Sequence, residues 1–414
     1  VKFEAAPPPF PTKLFLFAFL GWTFDFYDLV LLGFLRDTIA HELGVGHAGE
    51  AWMLGVALGT SGVGGIVAGA LADRVGKRTM LASTILVYSV GSLVCGLAPT
   101  FPFFLVGRGI VGLGVGGEWA IGHAMVAEAV GPGLRGRSSA LLQSGEPVGV
   151  ALAALVGFVI APVVGWRVVL VASSATALLA LAARRSMHLP NEPARGARPT
   201  WKQVQNAHMG SRMARAWLLG VFKLGTYWTC YTWLPKFLLE EMHQGIGRSF
   251  AWVLTAQLGQ LVGMLAFGWV SDRVGRRPAF AAFSFVTACA IAALAYRWSW
   301  LSAHPAAFWT TMLLLGFGSG CTAGFGALLA ELFPTELRGF AMGTTYNLAR
   351  SVQLAAPIAV SWAVGGWGLA GGLTVPFVLA LATGTWVWVL PETRGIALPT
   401  LRFDGRIDGG RGSR

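Results

Sequence analysis

The sequence predicts an all-α membrane protein: twelve transmembrane helices arranged as two pseudo-symmetric six-helix bundles. Three observations carry this expectation. Of 414 residues, 55% are hydrophobic and only 12% charged, against about 25% charged in ordinary soluble domains. Apolar runs of about 20 residues, the length that crosses a hydrocarbon core about 30 Å thick, recur from end to end. One basic turn also occurs twice, as Gly69-Ala-Leu-Ala-Asp73-Arg74-Val75-Gly76-Lys77-Arg78 and as Gly268-Trp-Val-Ser-Asp272-Arg273-Val274-Gly275-Arg276-Arg277. Every Gly, Asp and basic position in it is offset by 199 residues.

The first six spans are expected at 14–35, 52–72, 79–98, 102–127, 138–162 and 166–184, and the second six at 214–239, 249–270, 278–297, 306–330, 340–362 and 369–390. Span 1 carries Asp25 and Asp28, and no small-residue cleavage site follows it, so it reads as a membrane helix and not as a removable signal peptide. Spans 2 and 8 each end in the repeated turn. Span 4 contains Gly112, Gly114 and Gly116, which recur in span 10 as Gly316, Gly318 and Gly320 at an offset of 204. Small residues at such spacing let membrane helices pack closely. Glu128 and Arg135-Gly136, leading into span 5, recur as Glu331 and Arg338-Gly339, leading into span 11, at an offset of 203.

Three matched features in the same order define a duplication. Because spans 2 and 8 end in the same motif on the same side, the halves are parallel repeats related by an axis along the membrane normal. The expected organisation is an N-terminal segment 1–13, a first bundle 14–184, a polar connector 185–213, a second bundle 214–390 and a tail 391–414. The Pro-rich start and the tail from about Gly395 read as disordered.

The net charge of +12 follows topology. With the N-terminus inside, 23 of the 31 Lys and Arg residues fall on the inner side, including both repeated turns, the connector and the tail. This is the positive-inside asymmetry. It predicts a multi-pass protein of the cell (inner) membrane with both termini cytoplasmic, and it removes the case for a nucleic-acid partner. Cys95, Cys230, Cys289 and Cys321 lie in apolar runs without the paired spacing of a zinc or redox site. They read as packing residues, and no metal or other cofactor is expected. Gly112-x-Gly114-x-Gly116 lies in an apolar helix and not between strand and helix, so it is no nucleotide loop.

An ionisable side chain at the bilayer centre costs about 2.5–3.5 kcal/mol on insertion scales, so each one needs a partner or a water-filled cavity. Those inside spans are Asp25, Asp28, Arg108, Glu118, His123, Glu146, Lys223 and Arg350. At 1.5 Å rise per residue, Asp28 and Arg108 both lie roughly 21 Å above the inner end of a 30 Å core, so they meet in depth. Arg350 lies roughly 15 Å in, near the midplane. Its planar fork suits a carboxylate, and Asn347, Arg350 and Gln353 form a polar stripe; alternatively Arg350 pairs with Glu146 or Asp25. Lys223, Tyr227 and Tyr231 share a helix face and form either an aromatic and cationic wall or ordinary interface anchors. Glu146 reads as a second proton site or a counter-ion, and Glu118 and His123 as gate contacts.

Together these residues resemble the major facilitator superfamily. The Gly-x-x-x-Asp-Arg-x-Gly-Lys/Arg-Arg turns, Gly107-Arg108-Gly109-Ile-Val-Gly112, the Glu-x6-Arg-Gly pairs at 128–136 and 331–339, and Pro391-Glu392-Thr393-Arg394-Gly395 are similar to its motifs. Gly116-Gly117-Glu118-Trp119, Asp25-Phe-Tyr-Asp28 and Tyr346-Asn347-Leu-Ala-Arg350 resemble its organic-acid/proton symporter branches, which handle aromatic acids, sialate or lactate. The aromatic-acid pattern has Gly where Phe26 stands.

The resemblance implies alternating access by a monomer in membrane lipid, with a small organic acid and a proton as its transported partners. It further implies proton coupling by the Asp28 and Arg108 pair, with Asp25 as the alternative carrier, and a substrate hydrogen bond from Gln143. Gating falls to the repeated turns: Asp73, Arg74, Asp272 and Arg273, with Glu128, Arg135, Glu331 and Arg338. Asp73 and Asp272 are expected to accept hydrogen bonds from neighbouring helix N-termini and to pair with Arg135 or Arg338. The other transport classes of the same fold are a sugar or polyol:proton symporter and a drug exporter. No Ser/His/Asp set, metal cluster or phosphate loop argues for an enzyme.

Overall fold

The computed structural model describes residues 11–179, 182, 208–242, 246–401 and 407–408. Helices α1 (Thr12–Glu42), α2 (His47–Val75), α3 (Lys77–Gly96) and α4 (Phe101–Ala129) are followed by α5 (Pro132–Val164) and α6 (Trp166–Leu179). The second half contains α7 (Met209–Met242), α8 (Ile246–Val274), α9 (Arg276–Tyr296), α10 (Pro305–Leu332), α11 (338–370) and α12 (Gly371–Val389). Each expected span falls on one of these helices. Eight stretches among the described residues are long and apolar enough, by length and composition, to cross a membrane.

Local sequence explains the breaks. Gly76 and Gly275 close the repeated turns at φ 99 and φ 112, a region L side chains avoid, so α3 and α9 start directly after α2 and α8. Pro147 has no N–H for the Gln143 carbonyl, and α5 is interrupted one residue later, at Ser144. Between α11 and α12 the helical conformation runs without a gap from Ala356 to Trp386. The chain nevertheless reverses there, because a side chain on Gly371 would meet the Ala363 carbonyl at 2.6 Å, whereas a straight helix separates residues eight apart by about 12 Å. The short gap between the expected spans 11 and 12 is therefore a helical bend in the glycine-rich stretch between Ala363 and Gly371.

Within each half the repeated glycines set the packing. Gly112 and Gly116 lie on the backbone of Ala57 and Ser61 in α2, and Gly316 and Gly320 lie on that of Ala256 and Gly263 in α8. The halves meet along two equivalent seams, α2 against α11 and α5 against α8. A single apolar core crosses between them, joining Trp22, Phe26 and Trp119 to Phe280, Phe325 and Tyr346.

The tail departs from expectation. Pro399 accepts a hydrogen bond from the Thr335 amide at 2.9 Å, and Arg135 Nη1 donates to the Ile396 carbonyl at 2.8 Å. Backbone carbonyls with partners in the bundle hold 395–401 in place where composition alone suggested disorder. Residues 1–10, 183–207 and 409–414, which include most of the expected connector, lie outside the described residues.

Candidate functional site

The repeated turns build one end of the site. Asp73 accepts from the backbone N–H groups of Gly339 and Phe340 at 3.0 and 2.8 Å, and Asp272 from those of Gly136 and Arg137, both at 3.0 Å. Each carboxylate thereby caps the first turn of a helix in the opposite half, where free N–H groups and the helix dipole favour negative charge. The arginine pairing differs from the expectation. Arg338 pairs with Glu128, which also binds Lys77 at 2.8 Å, while Arg276 forms a two-pronged pair with Glu331, and Arg135 approaches Glu331 at 4.0 Å. Arg135 and Arg338 sit one carbonyl away from these acids, donating from Nε to Ala127 and Ala330. Neither forms an ion pair with an aspartate; Asp272 instead takes Arg276, whose Nη1 lies 2.7 Å from the oxygen that also accepts from the Gly136 N–H. Arg74 and Arg273 point away from the seams: both are exposed, and Arg273 lies 3.5 Å above the Trp269 ring. The residues that take their place are Lys77 and Arg276, themselves equivalent at the 199-residue offset.

Deeper in the first half, α1, α3 and α4 bring Asp28 and Arg108 together. Asp28 Oδ2 lies 3.4 Å from Arg108 Nη1, and Asp28 Oδ1 accepts from Ser92 at 2.7 Å. Arg108 Nε donates to the Met53 carbonyl, and its Nη2 has no partner among the described residues. The helical-rise estimate of a shared depth is thus matched by a direct contact in a dry environment.

Arg350 stands between the halves. It is 2% exposed, and neither Nη1 nor Nη2 has a hydrogen-bond partner among the described residues. Its guanidinium carbon lies 5.6 Å from the Trp22 ring and 5.3 Å from the Tyr346 ring. Tyr346 in turn stacks on Trp119 at 3.6 Å and 9°. The Trp22 indole N–H is also buried and unpartnered. Asp25 and Glu146 interact with Arg350 electrostatically but do not hydrogen-bond to its terminal nitrogens. The alternative in which Arg350 is tied into an ion pair is therefore not the arrangement found.

Glu146 has its own partners: Gln143 Nε2 at 2.8 Å and, across the α5/α8 seam, Gln260 Nε2 at 2.9 Å. Gln143 Oε1 accepts from Trp119 Nε1 at 2.8 Å and lies 3.1 Å from His123 Nε2. An indole nitrogen only donates, so the Gln143 amide orientation is fixed and His123 must carry its proton on Nε2. Lys223 is buried and interacts with Glu146, and Tyr227 is buried on the same helix; the Tyr231 side chain lies outside the described residues. Asn347 and Gln353 face neighbouring helices. Asn347 Nδ2 donates to the Gly116 carbonyl at 2.6 Å, and Gln353 Nε2 to the Val221 carbonyl at 3.3 Å. The residues that sequence reasoning did not assign here are Trp22, Trp119, Tyr346 and Gln260. Three aromatic rings and one neutral amide, they are indistinguishable in sequence from ordinary core or interface residues.

Two pseudo-symmetric six-helix halves, with charged groups buried between them, define the class: a polytopic membrane transporter. A profile of the Major Facilitator Superfamily matches residues 14–254 and 245–402, and the chain belongs to this superfamily. It is a secondary transporter carrying a small molecule, and it is not an enzyme. The chain is 31% identical over 412 residues to a Cupriavidus pinatubonensis protein named "Probable 4-methylmuconolactone transporter", covering 96% of this chain and 94% of that one. It is 30% identical to the sialic acid transporter NanX of Escherichia coli, covering 90% and 92%. Among solved structures, the proton:xylose symporter XylE superposes with a TM-score of 0.77 at 18% identity, over 94% of this chain and 98% of that one. That likeness shows the fold.

Proposed function

We propose that this chain is a proton-coupled symporter of small organic acids, acting as a monomer in the cell inner membrane with both termini and the repeated turns on the cytoplasmic side. The observation that carries the reading is Arg350. A buried cation with two unpartnered donors is expensive to maintain, and a carboxylate is the group its fork fits in two parallel hydrogen bonds. The free Trp22 N–H adds a third donor, and the Trp22 and Tyr346 rings flank a planar acid. A cationic drug would be repelled by Arg350, and a neutral sugar would leave its charge unmet, so the acid is favoured over both alternatives. The transport name of a relative, sialic acid, supports the same class.

Coupling follows from the Asp28 and Arg108 pair. With Asp28 ionised, Arg108 holds α1 to α4. A proton on Asp28 removes that attraction and lets the helices shift, so that proton and acid cross together. The cytoplasmic locks at Asp73 and Asp272 then open, with rearrangement of Glu128, Glu331, Arg135 and Arg338, and release both. The positive-inside distribution of Lys and Arg supports the orientation.

The test is uptake into proteoliposomes with and without an inward proton gradient, across monocarboxylates, dicarboxylates, aromatic acids and sugars. Accumulation of at least one acid that depends on the gradient, weakened by Arg350→Lys, is expected. If no acid moves or competes, or if Arg350→Lys leaves affinity unchanged, the reading fails.

A further inference from the structure

A second acidic pair lies beside the first. Asp25 on α1 and Glu118 on α4 are each 1% exposed, and all four of their carboxyl oxygens lack a hydrogen-bond partner among the described residues. They interact electrostatically with each other. The Glu118 carboxyl is lodged in a notch at Gly21, one helical turn from Asp25, where any side chain would collide with its Oε1. The Tyr88 hydroxyl of α3, on a residue 1% exposed, lies by Thr176 and interacts electrostatically with both carboxyls. The other charged groups interacting with the pair are Asp28 on α1 and Arg350 on α11.

Two carboxylates buried side by side cannot both ionise at low cost without a cation between them. No basic residue of the described chain hydrogen-bonds to either one. A proton solves the problem with the atoms present: one carboxyl, protonated, can donate its O–H to an oxygen of the other. Asp28 differs on every count, having Arg108 and Ser92 as partners.

We propose that Asp25 and Glu118 share one proton in this state and form a proton site distinct from the Asp28 and Arg108 pair. The site is loaded when a substrate carboxylate takes over Arg350. Without substrate, Arg350 is the attractive charge for Asp25 and favours loss of the shared proton as the site opens. An anion on Arg350 cancels that attraction, and the pair retains its proton. This coupling rests on the role given to Arg350 above, while the shared proton itself does not. With Asp28 as the first site, two protons would accompany each acid.

Infrared difference spectroscopy on the purified protein in nanodiscs, without substrate, reads the pair directly. A carboxylic-acid carbonyl band is expected in the parent and in Asp28→Asn, and its loss in Glu118→Gln. In Asp25→Asn the band should move to higher frequency, because the Glu118 acid no longer donates to a carboxylate. Absence of the band in the parent, or a spectrum unchanged in whichever variant folds, overturns the proposal. So does a band that appears only when sodium is replaced by choline, which would make this a sodium site. In proteoliposomes, with nicotinate and sialic acid as probes, Glu118→Gln should lower the proton-to-acid ratio from two to one; an unchanged ratio removes the pair from coupling. If the parent moves neither these nor any other acid, the substrate reading fails while the infrared result still decides the pair.

Discussion

The turn end and the centre of the bundle treat buried charge in opposite ways. At the turn end each buried charge has a partner: Asp73 caps α11, Asp272 caps α5 and Arg338 meets Glu128 across the halves, while Arg276 meets Glu331 within the second half. The arrangement is duplicated at offsets of 199 and 203 residues. At the centre, Arg350, Asp25 and Glu118 keep terminal atoms without hydrogen bonds among the described residues, and the sequence repeats none of them at the 199 to 204 offsets. Buried charge is tolerated when it is hydrogen-bonded and paired, and is costly otherwise. The symmetric charges therefore hold the two halves in one arrangement, and the asymmetric ones are held ready for something that arrives and leaves.

The largest effect should come from breaking the one central charge pair that resembles the locks. Asp28→Asn keeps the Ser92 contact and the shape but removes the titratable group. Gradient-driven accumulation of acid in proteoliposomes is expected to disappear, while exchange of labelled for unlabelled acid continues. If accumulation survives, Asp28 is a static packing contact like those at the turn end, and the contrast between the two regions loses its functional side.

A lock variant should have a smaller and graded effect. Asp272→Asn retains one acceptor for the α5 N-terminus and leaves the second N–H short, a loss of about 1–3 kcal/mol. That corresponds to an opening equilibrium shifted by roughly 5–150-fold at the turn end. Ser139, buried between α5 and α10, reports the change. With the four native cysteines replaced, Ser139→Cys should react faster with a maleimide when Asp272→Asn is also present, and Asp73→Asn should act in the same direction. Equal labelling rates in all three backgrounds would mean that the symmetric charges do not control opening.

The same contrast explains what could be read from the chain. The fold was legible because duplication leaves matched letters: glycines that only a tight turn or a close helix contact requires, and acids and bases at fixed offsets. The Asp28 and Arg108 contact was legible because helical rise converts position into depth. The cap geometry at Asp73 and Asp272 was legible in part, but its arginine partners were not. Lys77 and Arg276 follow Arg74 and Arg273 by three residues across the glycine of the same turn, and which of the two basic residues faces inward depends on helix phase at the turn. The centre was least legible. Charge marks Arg350, Glu118 and Asp25, yet the Trp22, Trp119 and Tyr346 rings that frame Arg350 look in sequence like any apolar lining, and the cross-seam bond from Gln260 to Glu146 joins residues 114 positions apart.

The aromatic frame offers the mildest test of the comparison. Trp119 and Tyr346 stack across the two halves at 3.6 Å, an arrangement worth about 0.5–1.5 kcal/mol beyond area burial. Trp119 is also held by its bond to Gln143, so Tyr346 is the ring that can be changed with less disturbance. Tyr346→Leu keeps an apolar side chain but removes both the stack and the ring beside Arg350. If the rings serve as a wall for a planar acid, affinity for aromatic acids should fall by roughly 2–10-fold while that for small aliphatic acids changes little. Equal losses for both kinds of acid would mean that the stack acts as the locks do, holding the halves together without contributing to the choice of cargo. Direct binding measured by calorimetry on the purified protein separates the two outcomes.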